Sequence, residues 1–169
     1  MNSALTFTGS PYTSFMHETK VTLSNGIELH VEIGGQPEHP AIMLIMGLGA
    51  QLLFWPDFFC KSLIDQGYRV IRFDNRDIGL SSKIRHSGPR LNTFKLMGRF
   101  ALGLENQGAP YNLYDMAEDA ALLIDHLELD NVSVLGASMG GMIAQILAAR
   151  HPHKVSNLGL MFTSNNKPF

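Results

Sequence analysis

Apolar and polar positions change period several times along the chain, and each change predicts an element. Residues 20–23 and 27–33 alternate apolar with polar around Ser24, Asn25 and Gly26. That is the pattern of a β-hairpin with one wet face, joined by an Asn-Gly turn that tolerates positive φ. Gly34, Gly35, Pro37 and Pro40 interrupt it, and residues 41–46 are then apolar at every position, as in a strand covered on both faces of a parallel sheet. Residues 52–66 predict a helix with Leu53, Phe54, Phe58, Leu63 and Ile64 on one face, Pro56 in its first turn and Gly67 as terminator. Residues 68–73 predict the next strand. Residues 112–127 predict a helix opened by Asn112 with Asp115, its core stripe being Met116, Ala120, Leu123, Ile124 and Leu127. A buried strand at 132–135, a helix at 139–150 and a strand at 155–163 complete the chain. The expected fold class is α/β: a doubly wound, mostly parallel sheet with right-handed crossovers, preceded by the antiparallel hairpin. The least regular stretch is 83–110, where a short helix is expected near 93–102 and the apolar residues point to contact with either the core or a substrate.

At residues 132–141 a buried strand gives way, across a single residue, to a segment with the composition of a helix, in the sequence Val-Ser-Val-Leu-Gly-Ala-Ser-Met-Gly-Gly. Ser138 stands at that corner, framed by Gly136, Gly140 and Gly141, because strand and helix converge too closely there for side chains. The serine is thereby pushed out at the carboxyl edge of the sheet, and the N–H of Met139 is placed where it can stabilise negative charge. A G-x-S-x-G run alone reads equally as a glycine-rich turn with an incidental serine; the strand before it and the helix after it favour the catalytic reading. The stretch resembles the nucleophile elbow of the α/β-hydrolase family.

That resemblance gives meaning to two further loops. Gly47, Leu48, Gly49 and Ala50 follow the predicted strand 41–46, where the family supplies half of its oxyanion hole, and the resemblance puts Leu48 at the N–H-donating position. A plain strand-to-helix turn is the other reading of the same glycines. Residues 74–82 resemble the family's Asp-x-Arg-Gly-x-Gly-x-Ser loop, with Asp77 where the pattern has glycine. Asp74, Arg76 and Asp77 are expected to bond one another and to satisfy backbone groups. The wording Phe-Asp-Asn-Arg-Asp is similar to an esterase-like subgroup that includes the aclacinomycin methylesterase type.

Composition narrows the partners. With 169 residues, 45% hydrophobic and 17% charged, the chain reads as one globular domain over residues 1–169. A net charge of −2 gives no reason to expect nucleic acid or an anionic membrane. Cys60 has no second cysteine to pair with and lies in an apolar run, so it reads as a buried structural thiol. No apolar run approaches the roughly 20 residues of a membrane span, no signal segment stands out, and a cytoplasmic location is the default expectation. No cofactor is called for, and His151-Pro152-His153 lacks the further ligands a metal site needs.

A serine hydroxyl needs a base, and that base an orienting acid, which in the resembled family follow the serine in the order acid, then histidine. After Ser138 there is no Asp or Glu, and the later histidines, His151 and His153, lie beyond a helix about 18 Å long. His17, His30, His39 and His86 offer no better base. Glu118, Asp119, Asp125 and His126 are expected on a solvated helix face. The chain therefore reads as the amino-terminal portion of an α/β-hydrolase fold, without the last strands, the cap, the acid and the base. It is expected to leave the strand at 155–163 with an open edge, to be covered by a complementing carboxyl-terminal segment or a second copy. Two functions stay open: a serine hydrolase acting on a small-molecule ester or related acyl substrate, with Ser138 as nucleophile and Leu48 and Met139 as oxyanion donors, or a catalytically silent binding module.

Overall fold

The computed structural model describes residues 8–9, 15–84 and 110–165, and the expectations for His86 and for a helix near 93–102 fall outside them. The elements in chain order are β1 (Thr8–Gly9), β2 (Met16–Thr22), β3 (Glu28–Gly34), β4 (Ala41–Ile45), a 3-10 turn (Leu52–Phe54), α1 (Asp57–Asp65), β5 (Arg69–Phe73), α2 (Leu113–His126), β6 (Val132–Ala137), α3 (Met139–Arg150) and β7 (Val155–Met161). The strands form one seven-stranded sheet in the order β1-β2-β3-β5-β4-β6-β7. Pairing is antiparallel from β1 through β5 and parallel among β5, β4, β6 and β7. The hairpin thus begins earlier than its pattern implies, and β1 is added at its outer edge.

Two cores cover the sheet. Met43, Ile45, Val132 and Val134 pack with Leu123 and Ile124 of α2 and Ile143 and Leu147 of α3 on one face, while Leu44 and Val70 pack with Trp55 and Cys60 on the other. Helices on both faces make the sheet doubly wound, as the alternation of elements predicts. α2 is opened by a capping box: Asn112 Oδ1 accepts from the N–H of Tyr114 and Asp115, and Asp115 accepts from the Asn112 N–H. α1 ends in a Schellman motif, with Gly67 at φ +85°, its N–H bonded to Ile64 O and that of Tyr68 to Leu63 O.

Three expectations change. The helix expected over 52–66 is split, because Pro56 has no N–H to continue a helix from the 3-10 turn and instead caps α1. Its predicted apolar face is only half turned to the core: Leu63 and Ile64 pack inward with Phe59 and buried Cys60, while Leu53, Phe54 and Phe58 are exposed. The polar face of the hairpin is wet only on β2, since His30 and Glu32 of β3 are buried beneath the α1 side of the sheet. Asp119, expected on a solvated face, is 2% exposed and takes both Nε and Nη2 of Arg76, at 2.6 Å each. Arg76 therefore ties the loop after β5 to α2 rather than to Asp74 or Asp77.

Candidate functional site

The connections after β4 and β6, neighbours in the sheet, run to opposite faces: α1 follows β4 on one, α3 follows β6 on the other. A crevice opens at the carboxyl ends of two such strands, where open α/β sheets take ligands. Ser138 and the loop beginning at Gly47 both lie there.

Ser138 is exposed, with φ 54° and ψ −124°, a left-handed conformation that costs a non-glycine residue about 1–3 kcal/mol. Its surroundings hold it there. Its N–H donates to Met161 O at 2.9 Å, and its carbonyl accepts from Gly141 N–H at 2.9 Å and from the Thr163 hydroxyl at 2.7 Å. The glycines are required by contact as well as by turn geometry: a Cβ on Gly136 would collide with the Gly140 carbonyl, and one on Gly140 with the Ile45 carbonyl. Met139, the first residue of α3, has an N–H at the helix start, where no intrahelical acceptor exists.

The loop after β4 closes on the serine. A Cβ on Gly47 would lie 3.0 Å from Ser138 Cβ and 3.4 Å from Ser138 Oγ. Gly47 and Ala50 close a turn, Ala50 N–H to Gly47 O at 3.3 Å, with Gly49 at φ +71°. Leu48 therefore stands at the tip of a tight turn beside the serine, its N–H bonded to nothing among the described residues, and its side chain is 43% exposed. Both ends of this loop are tied to the end of β5: Asn75 Nδ2 donates to Met46 O at 3.0 Å, and the Leu52 N–H donates to Asp74 Oδ1 at 2.8 Å. Nothing in the local pattern marks Asn75 for this role; it is defined only by the packing of β5 against β4.

Among the described residues no histidine or carboxylate reaches Ser138. His151 caps the far end of α3 and its Nε2 lies 3.1 Å from Glu118. Both ring nitrogens of His30 are engaged, by Asp74 and Glu18. Cys60 is buried against Arg72, and burial pushes its thiol pKa up although Arg72 opposes this, which suits a packing residue. No group of three or more potential metal ligands occurs among the described residues. Nor does any helix among them have the length and apolarity to cross a membrane.

Comparisons with known proteins bear on the fold that carries this geometry. The sequence profile of the alpha/beta hydrolase fold matches residues 40–169. A rhodomycin D methylesterase of Streptomyces peucetius is 30% identical over 85% of this chain and 41% of its own length. A putative carbamate hydrolase of Variovorax paradoxus is 27% identical over 79% of this chain and 41% of its own. Among solved structures, a hydrolase from Pseudomonas aeruginosa superposes with a TM-score of 0.69 at 28% identity, covering 87% of this chain and 46% of that one. The chain spans about two-fifths of the length of the curated relatives it matches. With its profile match over most of its length and a serine corner at the sheet's switch point, the chain belongs to the α/β-hydrolase fold family.

Proposed function

We propose that this is a serine hydrolase acting on carboxylic esters, with Ser138 as the nucleophile. The observation that carries the reading is the serine's placement: exposed, held at positive φ, and flanked by Gly47 on one side and the α3 start on the other. In the proposed reaction Ser138 Oγ attacks the acyl carbon of a small ester, the bond to the alcohol breaks, and water then releases the acid from the serine ester. The N–H groups of Leu48 and Met139 converge on the oxygen that becomes negative. The base is supplied from outside the described residues. Unassisted, the Ser138 hydroxyl is a weak nucleophile, so acyl transfer to it is slow. The methylesterase name of one relative is compatible with an ester substrate, whose identity the exposed rim does not define.

Slow hydrolysis of a p-nitrophenyl ester is therefore expected, lost in a folded Ser138→Ala variant. Equal turnover by the two proteins would overturn the role of Ser138. The lack of any base near Ser138 among the described residues favours a second reading, in which the chain binds acyl compounds without turning them over; binding by calorimetry without product would support it.

A further inference from the structure

Resting on the assignment of residues 46–52 as the oxyanion loop, we propose that His30 is a positioning residue: with Glu18 and Asp74 it forms a relay that sets the loop's placement beside Ser138. The Asp74 carboxylate gathers three donors from three segments. Oδ1 accepts the Leu52 N–H at 2.8 Å; Oδ2 accepts the Leu80 N–H at 3.0 Å and lies 3.1 Å from His30 Nδ1. His30 Nε2 lies 2.8 Å from Glu18 Oε1. A carboxylate faces each ring nitrogen, and a neutral imidazole donates to only one of them, so this arrangement requires the imidazolium. The ring is the charge that lets Asp74 stay ionised while buried, and the ionised Asp74 holds the far end of the loop.

Register explains why the relay forms. On the α1 face of the sheet, Lys20 of β2 lies opposite His30 of β3, and Glu18 opposite Glu32, which in turn lies opposite Arg72 of β5. Asp74 follows β5 and its N–H bonds to His30 O, which brings its side chain to the same row. The charged groups around the ring are thus Glu18 and Lys20 from β2, Glu28 and Glu32 along β3, Arg72 from β5 and Asp74 just after it. Lys20 is committed to Glu28 and Arg72 to Glu32 and Asp57, which leaves Glu18 and Asp74 to the imidazolium. A cavity of ≈ 340 Å³ borders Glu18, His30, Leu52 and Asp74, large enough for water to exchange the ring proton. Gly79 completes the fit, since a Cβ there would collide with the Asp74 carboxylate.

The charge states follow from the same contacts. Burial works to lower the His30 pKa, but the bond and charge of Asp74, then those of Glu18, outweigh it and hold it above the ordinary 6.5. Burial works to raise that of Asp74, and the His30 bond with the Leu52 and Leu80 N–H groups overcomes it, holding the carboxyl below the ordinary 3.8. The His30 contribution to stability is complete below the unfolded value and is lost as pH rises through the raised one; that of Asp74 is complete above its unfolded value and is lost as pH falls through the lowered one. Between acid and neutral pH the relay is intact, and it loosens first on the alkaline side.

The test is a pH titration of the full ¹⁵N-labelled chain by NMR. The Leu52 and Leu48 amide signals are expected to shift with the same midpoint as the His30 ring, above its ordinary value. In His30→Gln that titration disappears and Leu52 amide exchange becomes about tenfold faster; in Glu18→Gln the shared midpoint falls. A His30 ring that titrates while the Leu48 and Leu52 amides stay still would overturn the proposal, as would an unchanged amide titration in His30→Gln. The wild-type titration decides the matter even if a variant fails to fold. It needs no turnover, so an inert Ser138 with coupled amides counts against the hydrolase reading alone, and a reactive Ser138 with uncoupled amides against the relay alone.

Discussion

The two flanks of Ser138 are built differently. Toward β5, β3 and β2 the sheet is locked by buried charge: Arg72, fully buried, donates from Nε and Nη2 to Glu32 Oε2 at 2.9 and 2.6 Å and from Nη2 to Asp57 at 2.9 Å, while Arg76 is clamped by Asp119. Toward β7 there is no such lock. β7 touches α3 on one face and is otherwise largely uncovered among the described residues, with Leu158 and Leu160 about two-fifths exposed and Phe162 91% exposed. The Leu48 side of Ser138 is thus organised by buried charged groups, and the other side ends on β7, which pairs with β6 and has no strand on its outer edge among the described residues. Pre-organisation and completeness are separate properties: the loop beside Ser138 is held in place at both ends, while no histidine or carboxylate reaches that serine among the described residues.

The contrast can be broken most severely on the locked flank. Arg72→Ala leaves Glu32 buried without its main cation and is expected to cost about 3–5 kcal/mol, read as a lowered denaturation midpoint; a change below about 1 kcal/mol would show that the lock is not a lock. Gly140→Ala comes next, at about 1–3 kcal/mol, because its Cβ meets backbone carbonyls of β4 that cannot swing away. Retained stability with a normal Ser138 environment would contradict the close approach of α3 to β4. On the open flank, Leu158→Lys with Leu160→Lys is expected to move stability by no more than about 0.5 kcal/mol per site while raising solubility in light scattering. A loss of several kcal/mol there would mean that β7 is covered after all.

Much of this was legible in the sequence, and the divisions are physical. β4, β5, β6, α2 and α3 announce themselves by an unbroken apolar run, an amphipathic stripe or a helix-forming composition set between clear breaks, such as the Asn112 cap and Gly67. The serine corner was legible because a strand meeting a helix across one residue needs glycines in fixed places. What was not legible depends on register. Glu28, His30 and Glu32 alternate with apolar residues just as a wet strand face does, and only pairing with β2 and β5 turns that face into a buried charge row. The exposed Phe54 and Phe58 misled for the opposite reason: their spacing is helical, but Pro56 divides the turn from the helix and rotates them outward. Arg76 reached for Asp119 across 43 residues, a partnership that no local pattern carries.

Intact-mass analysis after exposure to a fluorophosphonate tests the role of Ser138 directly, because its phosphorus is electrophilic enough, with fluoride as leaving group, for even a weakly activated serine beside a charge-stabilising pocket to react slowly. A single slow adduct is expected, mapped to the peptide containing Ser138 and absent from a folded Ser138→Ala variant. An adduct that survives in Ser138→Ala, or a folded wild-type chain that gains no mass on prolonged exposure, would contradict that role.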